Sequence, residues 1–542
     1  MIDQKNVHSK MMHTNPRIRR EAINLLRSNF AVLPDKKQAW EDLIHLARDD
    51  DMNVWLATGG SFGAVFSHVP DKEKAWEDLV RLTQEKNANL RGIAAGSLGA
   101  ALSHVTDKGK AWEDVLRLAR DENANVRGIT AGSLGAAFPH IPDREKAWEE
   151  LVLLTHDRDR DVQGIAAGSL VMAFPHIPDK EKAWDELHRL IQNGDVNTRE
   201  IVAGSLVIAF PFIPDKEKAW QDLHGLMLDS NTNVRGIAAG ILGPVFLHIP
   251  DKEKAWEDLH RLAQEMNINV RLLAAYSLGF AFPYVPDKEK AWNDLHRLSQ
   301  DKNMNVRSLA AYSLGAAFPD IPDKKQAWND LHRLSLDKNR DVKWGVSYSF
   351  GAAFPWVPDK EKAWAELIRL SRDDDRDLRV SANYSLGRAS IFRATVTKSE
   401  EKFRNELENA LSFFEKSSKE AVYFNPARFC LLFYQSFYAI TFKEHEAETE
   451  VQEYLADAKN AIQGSQSKEK LMEAVEKLAG ALKEVRNAKD RGLGAIESSL
   501  NTHRQYCEQA ADLIRTLRDD APGATKILER GLPIICRKFK FQ

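Results

Sequence analysis

The chain is short of cysteine, of long apolar runs and of charge imbalance, and each shortage removes a class of protein. Among 542 residues the only cysteines are Cys430, Cys507 and Cys536, far apart toward the C-terminal end. Three scattered thiols build no disulfide framework, so a reducing, cytoplasmic setting is expected. Met1 to Thr14 contains no apolar core of signal-peptide length, which argues against secretion. The most apolar segment, Phe429 to Phe442, is interrupted by Gln435 and Ser436 and falls short of a bilayer span, so no membrane partner is expected. Lysine and arginine number 76 against 79 acidic residues, a net charge of −3. That balance gives no general reason to expect nucleic acid as a partner. A Gly-rich phosphate loop, a nucleophile elbow and a Cys-His zinc cluster are missing too. No catalytic residue, cofactor or metal is therefore expected, and the chain does not read as an enzyme.

What is present is a repeat. Trp40, Trp76, Trp112, Trp148, Trp184, Trp220, Trp256, Trp292, Trp328 and Trp364 stand 36 residues apart without one insertion. Each is preceded five positions earlier by aspartate, from Asp35 to Asp359. A fixed period in this range marks a solenoid. In the unit Asp251 to Pro286, Asp251 is a suitable N-cap and Pro250 discourages the preceding chain from continuing as helix. Ala255, Trp256, Leu259 and Leu262 form the apolar stripe of a first helix. Asn267 to Asn269 break the chain, and Val270, Leu273, Ala274, Leu278 and Ala281 line a second helix that ends near Phe282-Pro283. A unit of this size buries too little alone and has to stack on its neighbours.

These spacings give residues 1–14 as a flexible N-terminus, 15–34 as a half-repeat cap lacking its first helix, and 35–395 as ten repeats. Residues 396–542 read as a separate α-helical domain. Five helices are expected there, between Glu400 and Arg518, with breaks at Gly464-Ser465 and Pro522-Gly523. The aromatic-rich second of these reads as a buried central helix, and Arg537 to Lys540 as a solvated basic tail.

The segment Asn125 to Gly135 (Asn-Val-Arg-Gly-Ile-Thr-Ala-Gly-Ser-Leu-Gly) resembles the second helix of HEAT repeats, in the short variant shared with phycobilisome-lyase-like proteins. The resemblance covers residues 15 to 395 and implies an all-α fold, a right-handed HEAT-like α-solenoid followed by a C-terminal helical bundle. Arrays of this kind generally scaffold protein assemblies. A few HEAT-like proteins are di-iron hydroxylases with paired His-Glu dipeptides, but His445-Glu446 is the only such dipeptide here and lies outside the repeats.

Candidate sites follow from what repeats and what changes. The arginine series Arg91, Arg127, Arg199, Arg235, Arg271, Arg307 and Arg379 borders the core stripe and is expected to bridge repeats rather than to grip phosphate. The two histidine ladders, in the exit loops and on the first helices, are spaced too widely for equivalent residues to share a metal. On the second helix, opposite its core stripe, Gly92, Gly128, Gly164 and Gly236 give way later to Leu272, Ser308, Trp344 and Val380. Four residues on, Gly60, Gly96, Gly132, Gly168, Gly204 and Gly240 are followed by Tyr276, Tyr312, Tyr348 and Tyr384. Glycine inside a helix is unfavourable, so crowding or a close partner is expected over the glycines. The stripe Tyr276, Tyr312, Trp344, Tyr348 and Tyr384 is the candidate contact surface, for a protein partner or for the chain's own C-terminal domain. The expected function is a non-catalytic scaffold that binds a protein in the concave groove. A chromophore-handling or lyase-like protein is the alternative, and a nucleic-acid binder a third.

Overall fold

The computed structural model describes residues 3–422, 426–443, 447–461, 468–491 and 493–515, with residues 523, 524, 526, 527, 529–531 and 534. Gly464-Ser465, Pro522, Cys536, the dipeptide His445-Glu446 and the segment Arg537 to Lys540 lie outside them. The described elements are all helical, and the chain is a HEAT-like solenoid of repeated helix pairs with a C-terminal helical region. It divides into two compact units, Met1–Asp258 and Leu259–Gln542.

One local grammar builds every repeat. The leading aspartate accepts from the amide three residues on, as Asp71 does from Lys74 at 3.0 Å, which satisfies an orphan donor of the first helix. An Asn or Asp caps the second helix in the same way, Asn123 accepting from Asn125 and Val126. Most second helices close in a 3₁₀ turn whose phenylalanine is fully buried, as at Phe174–His176 and Phe282–Tyr284. In four of these turns proline sits at the second position, where a missing amide is harmless. The ruler tryptophans are buried, apart from half-buried Trp148 and Trp364.

Stacking rests on two contacts. Second helices meet through glycine: a Cβ on Gly135 would lie 2.7 Å from the Ser169 Cβ and 2.8 Å from its Cα. In the second unit Gly315 meets Ser349 in the same way, and the Ser349 hydroxyl donates to the Ala311 carbonyl at 2.7 Å. The other contact is ionic. Arg127 donates through Nε and Nη2 to the two carboxylate oxygens of Asp157 at 2.7 Å, and through Nη1 to the carbonyls of Asp121 and Glu122. Arg19, Arg91, Arg199, Arg271 and Arg307 repeat this pairing with Asp49, Asp121, Asp229, Asp301 and Asp337.

The N-terminal expectation needs correction. Residues 4–11, read as part of a flexible tail, form the helix Gln4–Met11 with Val7 and Met11 buried. This is the first helix that residues 15–34 were expected to lack. Gln4 stands 36 residues before Trp40 and exchanges two hydrogen bonds with the backbone of Asp35. His8 Nδ1 lies 2.9 Å from Asp42, as His188 Nδ1 lies 2.8 Å from Asp222. With the tryptophan gone and only two apolar residues left, periodicity had nothing to register. At the other end, the last second helix runs on as Arg376–Val396, 21 residues against 14 in earlier repeats. It is covered by Glu400–Glu420, so Ser381 to Ser390 are buried without a break.

Two measurements test this account. The Asp157 carboxyl lies below the usual carboxylate range, chiefly because Arg127 hydrogen-bonds it. For Asp121, Asp301 and Asp337 burial works the other way, and their arginines and a neighbouring amide outweigh it. Depressed carboxyls contribute stability above their unfolded pKa of about 3.9 and lose it as pH falls through the folded value. The melting temperature is expected to hold from neutral pH down to about 5 and to fall steeply below about 4. Arg127→Gln leaves the Asp157 carboxylate largely buried without its cation, since the two side chains are 7% and 10% exposed. It should cost about 3 kcal/mol and flatten the acid limb; a variant melting like wild type would refute the bridge. Separately, Gly135→Ala should destabilise by about 1–3 kcal/mol through its clash with Ser169. Gly132→Ala should stabilise by about 0.5–1 kcal/mol, because its nearest neighbour would be Ile165 at 3.8 Å.

Candidate interaction surface

The second unit carries the aromatic stripe, and its rings form one ladder. Tyr276 and Tyr312 stack with centroids 6.5 Å apart, Tyr312 and Tyr348 at 5.3 Å, and Tyr348 and Tyr384 at 6.0 Å. Their planes differ by only 19–28°. Helical geometry explains this: one position recurring every 36 residues stands on successive second helices at the same height. Trp344 joins from four residues before Tyr348, stacked at 6.5 Å. The ladder then leaves the repeats. Tyr384 meets Phe414 of the helix Glu400–Glu420 at 6.0 Å, and Phe414 stacks on Tyr434 of the helix Pro426–Phe442 at 5.9 Å.

Burial divides the five candidate residues. Tyr384 is 2% exposed and belongs to the core that the C-terminal helices share with Ile391, Phe414 and Phe433. As a partner-binding residue it is therefore a correction: the chain's own helices cover it. Tyr348 is half-buried and packs against that core. Tyr276 and Tyr312 are half-buried, and Trp344 is 38% exposed. Burial pushes the Tyr276 hydroxyl above its ordinary pKa, so the ladder carries no charge there at neutral pH.

Two contributors are absent from the sequence reading. Phe280, 37% exposed, lies 4.8 Å from Tyr276 in ring centroids. It occupies a position held by Ala316 and Ala352 in the next two repeats, and that change from small to aromatic was the available signal. The same position in the last repeat is Arg388, whose guanidinium lies 5.9 Å from the Tyr348 ring centroid and 5.8 Å from that of Tyr384. A buried cation among aromatics leaves no trace in hydrophobic periodicity.

The other candidate features resolve into packing. A Cβ on Gly92, Gly128 or Gly164 would lie 2.9–3.1 Å from the next repeat's Ile129, Ile165 or Ile201. The crowding over that glycine row thus comes from the chain itself. In the parallel row, Gly96, Gly132 and Gly204 would make ordinary contacts at 3.5–3.8 Å. The bridged arginines spend their donors on aspartate and on carbonyls, as Arg271 and Arg307 do. The first-helix histidines His188, His224, His260, His296 and His332 face a carboxylate of the following repeat, His224 Nδ1 at 2.6 Å from Asp258. Among the described residues no group of three or more His, Cys, Asp or Glu is placed to hold a metal ion. None of the described helices is long and apolar enough to cross a membrane. A recess of about 640 Å³ lies in the first unit among exit loops, lined by Lys108, Pro139, His140, Arg144 and Pro178.

Comparison with known proteins adds a likeness of fold. No protein-family model matches the sequence, and no curated protein matches it. Among solved structures the chain is similar to the karyopherin Kap121p in its complex with the SUMO protease Ulp1p, at 13% identity with a TM-score of 0.50. That match covers 98% of this chain and 65% of the other. It is also similar to importin beta (13% identity, 98% of this chain, 80% of that one, TM-score 0.44). The E. coli protein YibA is another (18% identity, 53% of this chain, 95% of that one, TM-score 0.37). The chain spans 56–66% of the length of the Kap121p chains it matches. What they share is the class, an α-solenoid of HEAT-like helix pairs.

Proposed function

We propose that this chain is a non-catalytic scaffold that binds a protein partner on the open part of the aromatic ladder. The observation that carries the reading is one of exposure. Phe280 and Trp344 stand out at 37% and 38% exposed, on either side of half-buried Tyr276 and Tyr312. Clustered aromatics of this kind are the side chains that dominate interface energetics. The far end of the ladder is occupied by the chain's own Phe414, so the surface serves internal docking and partner binding over different rungs. The fold supports the reading, since its structural neighbour Kap121p was solved bound to another protein. The uninterrupted repeats supply no irregular loop of the kind that usually houses catalysis.

Affinity capture from source-cell lysate, with wild type beside a Tyr276→Ala/Tyr312→Ala/Trp344→Ala chain, tests the proposal. A partner retained by wild type and lost from the triple variant, with helicity unchanged, is expected. Tyr384→Ala serves as the packing control and should lower stability by about 3–5 kcal/mol, in line with emptying a large buried aromatic site. An identical set of captured proteins from wild type and triple variant would reject the ladder as the binding surface.

A further inference from the structure

Accepting the aromatic ladder as the binding surface, we propose that the segment seated on it is uncharged and supplies aromatic side chains, which extend the stack as the chain's own Phe414 does. Three observations point to that chemistry. The first is the filled end. Phe414 comes from a helix outside the repeats, and it seats a flat ring against Tyr384 with centroids 6.0 Å apart and planes 47° from parallel. Phe413, on the same helix, seats edge-on against Trp364 at 5.8 Å. The ladder thus already displays its occupant at the last rung, while Tyr276 and Tyr312 retain exposed surface.

The second observation is the absence of charge around the open rungs. Four residues either side of Tyr276 and Tyr312 stand Leu272 and Phe280, and Ser308 and Ala316, the neighbours on the same helical face. None is ionisable. The third is that the bordering cations are engaged: Arg271 with Asp301, Arg307 with Asp337 and Lys343 with Asp373, at 2.8–3.0 Å. A charged partner side chain would lose hydration over this face and find no counter-ion. An aromatic ring loses little and gains a stacking neighbour.

The test pans a random dodecapeptide library on the full-length chain and measures the synthesised winners by fluorescence anisotropy. Wild type, Tyr312→Ala and Trp344→Ala chains are compared at low and high salt. Winners rich in Trp, Tyr or Phe and free of net charge are expected. Their affinity should fall at least about tenfold on Tyr312→Ala or Trp344→Ala and stay within about twofold as salt is raised. Replacing the peptide's aromatics with leucine should also weaken binding. Charged, salt-sensitive winners that are lost from the two variants would keep the ladder as a binding surface and overturn only its aromatic chemistry. Winners that bind all three chains equally, or none at all, would end this inference and the scaffold reading with it. Trp344 is exposed, so its replacement separates lost recognition from lost folding.

Discussion

A helical pair of this size is not stable until its neighbour arrives, and the arginine at the start of most second helices makes the two conditions one. Arg127 holds the carbonyls of Asp121 and Glu122 in its own turn and the carboxylate of Asp157 in the next repeat. The guanidinium fork allows this, since it can bind a carboxylate in bidentate fashion and still have a nitrogen left for the backbone. Asp157 in turn accepts from the Asp159 amide at 2.9 Å, so the next turn is fixed by the same bond. The arginine is replaced in three repeats, by Trp55, Gln163 and Lys343. Gln163 keeps the carbonyl contact, to Asp157, and thirty residues on the usual aspartate is Asn193. Lys343 keeps the charge, and Asp373 remains to meet it. At the end of the array Arg379 turns to Glu420 of the covering helix.

A second buried carboxylate, on the first helix, shows the same rule met by different means. Asp78 and Asp114 accept from the indoles of Trp40 and Trp76. Further on, histidines of the preceding repeat take over, at His188–Asp222, His224–Asp258 and His260–Asp294. Between these regimes the acid is a glutamate, met by Arg120 at Glu150 and by Thr155 and Arg189 at Glu186. The indole nitrogens of Trp112, Trp148 and Trp184 are buried without a partner. At each of these steps the acid binds another donor, Arg120 at Glu150, Thr155 and Arg189 at Glu186 and His188 at Asp222, and the indole stays unsatisfied.

These particulars explain what could be read from the sequence. The ten repeats were legible because each interface reuses one set of residues at one spacing, and the bridging arginines because they border the core stripe. The C-terminal helices were legible as helices, the first beginning at Glu400 as read. The helix Gln4–Met11 was hidden because its contacts to Asp35 and Asp42 are polar. Within the candidate stripe, the stacking of the tyrosines follows from their register. That Tyr384 is buried does not, since it depends on Phe414, which lies outside the repeats and obeys no period.

The change from glycine to tyrosine along the stripe is a trade of volume between neighbours. In the first unit Gly96, Gly132, Gly168 and Gly204 face an isoleucine one repeat further on, Ile129, Ile165, Ile201 and Ile237. In the last three repeats that facing position reads Leu309, Gly345 and Ser381, opposite Tyr276, Tyr312 and Tyr348. Bulk is therefore moved from one helix to its neighbour, with Leu309 as the step where both are large. At that same step Tyr276 leans on Phe280 and keeps exposed surface. Close packing penalises excess volume as well as voids, so a pair with two large side chains cannot sink both. Tyr276 thus keeps exposed surface where the trade is incomplete, and Tyr384 is buried where the chain's own helix closes over it.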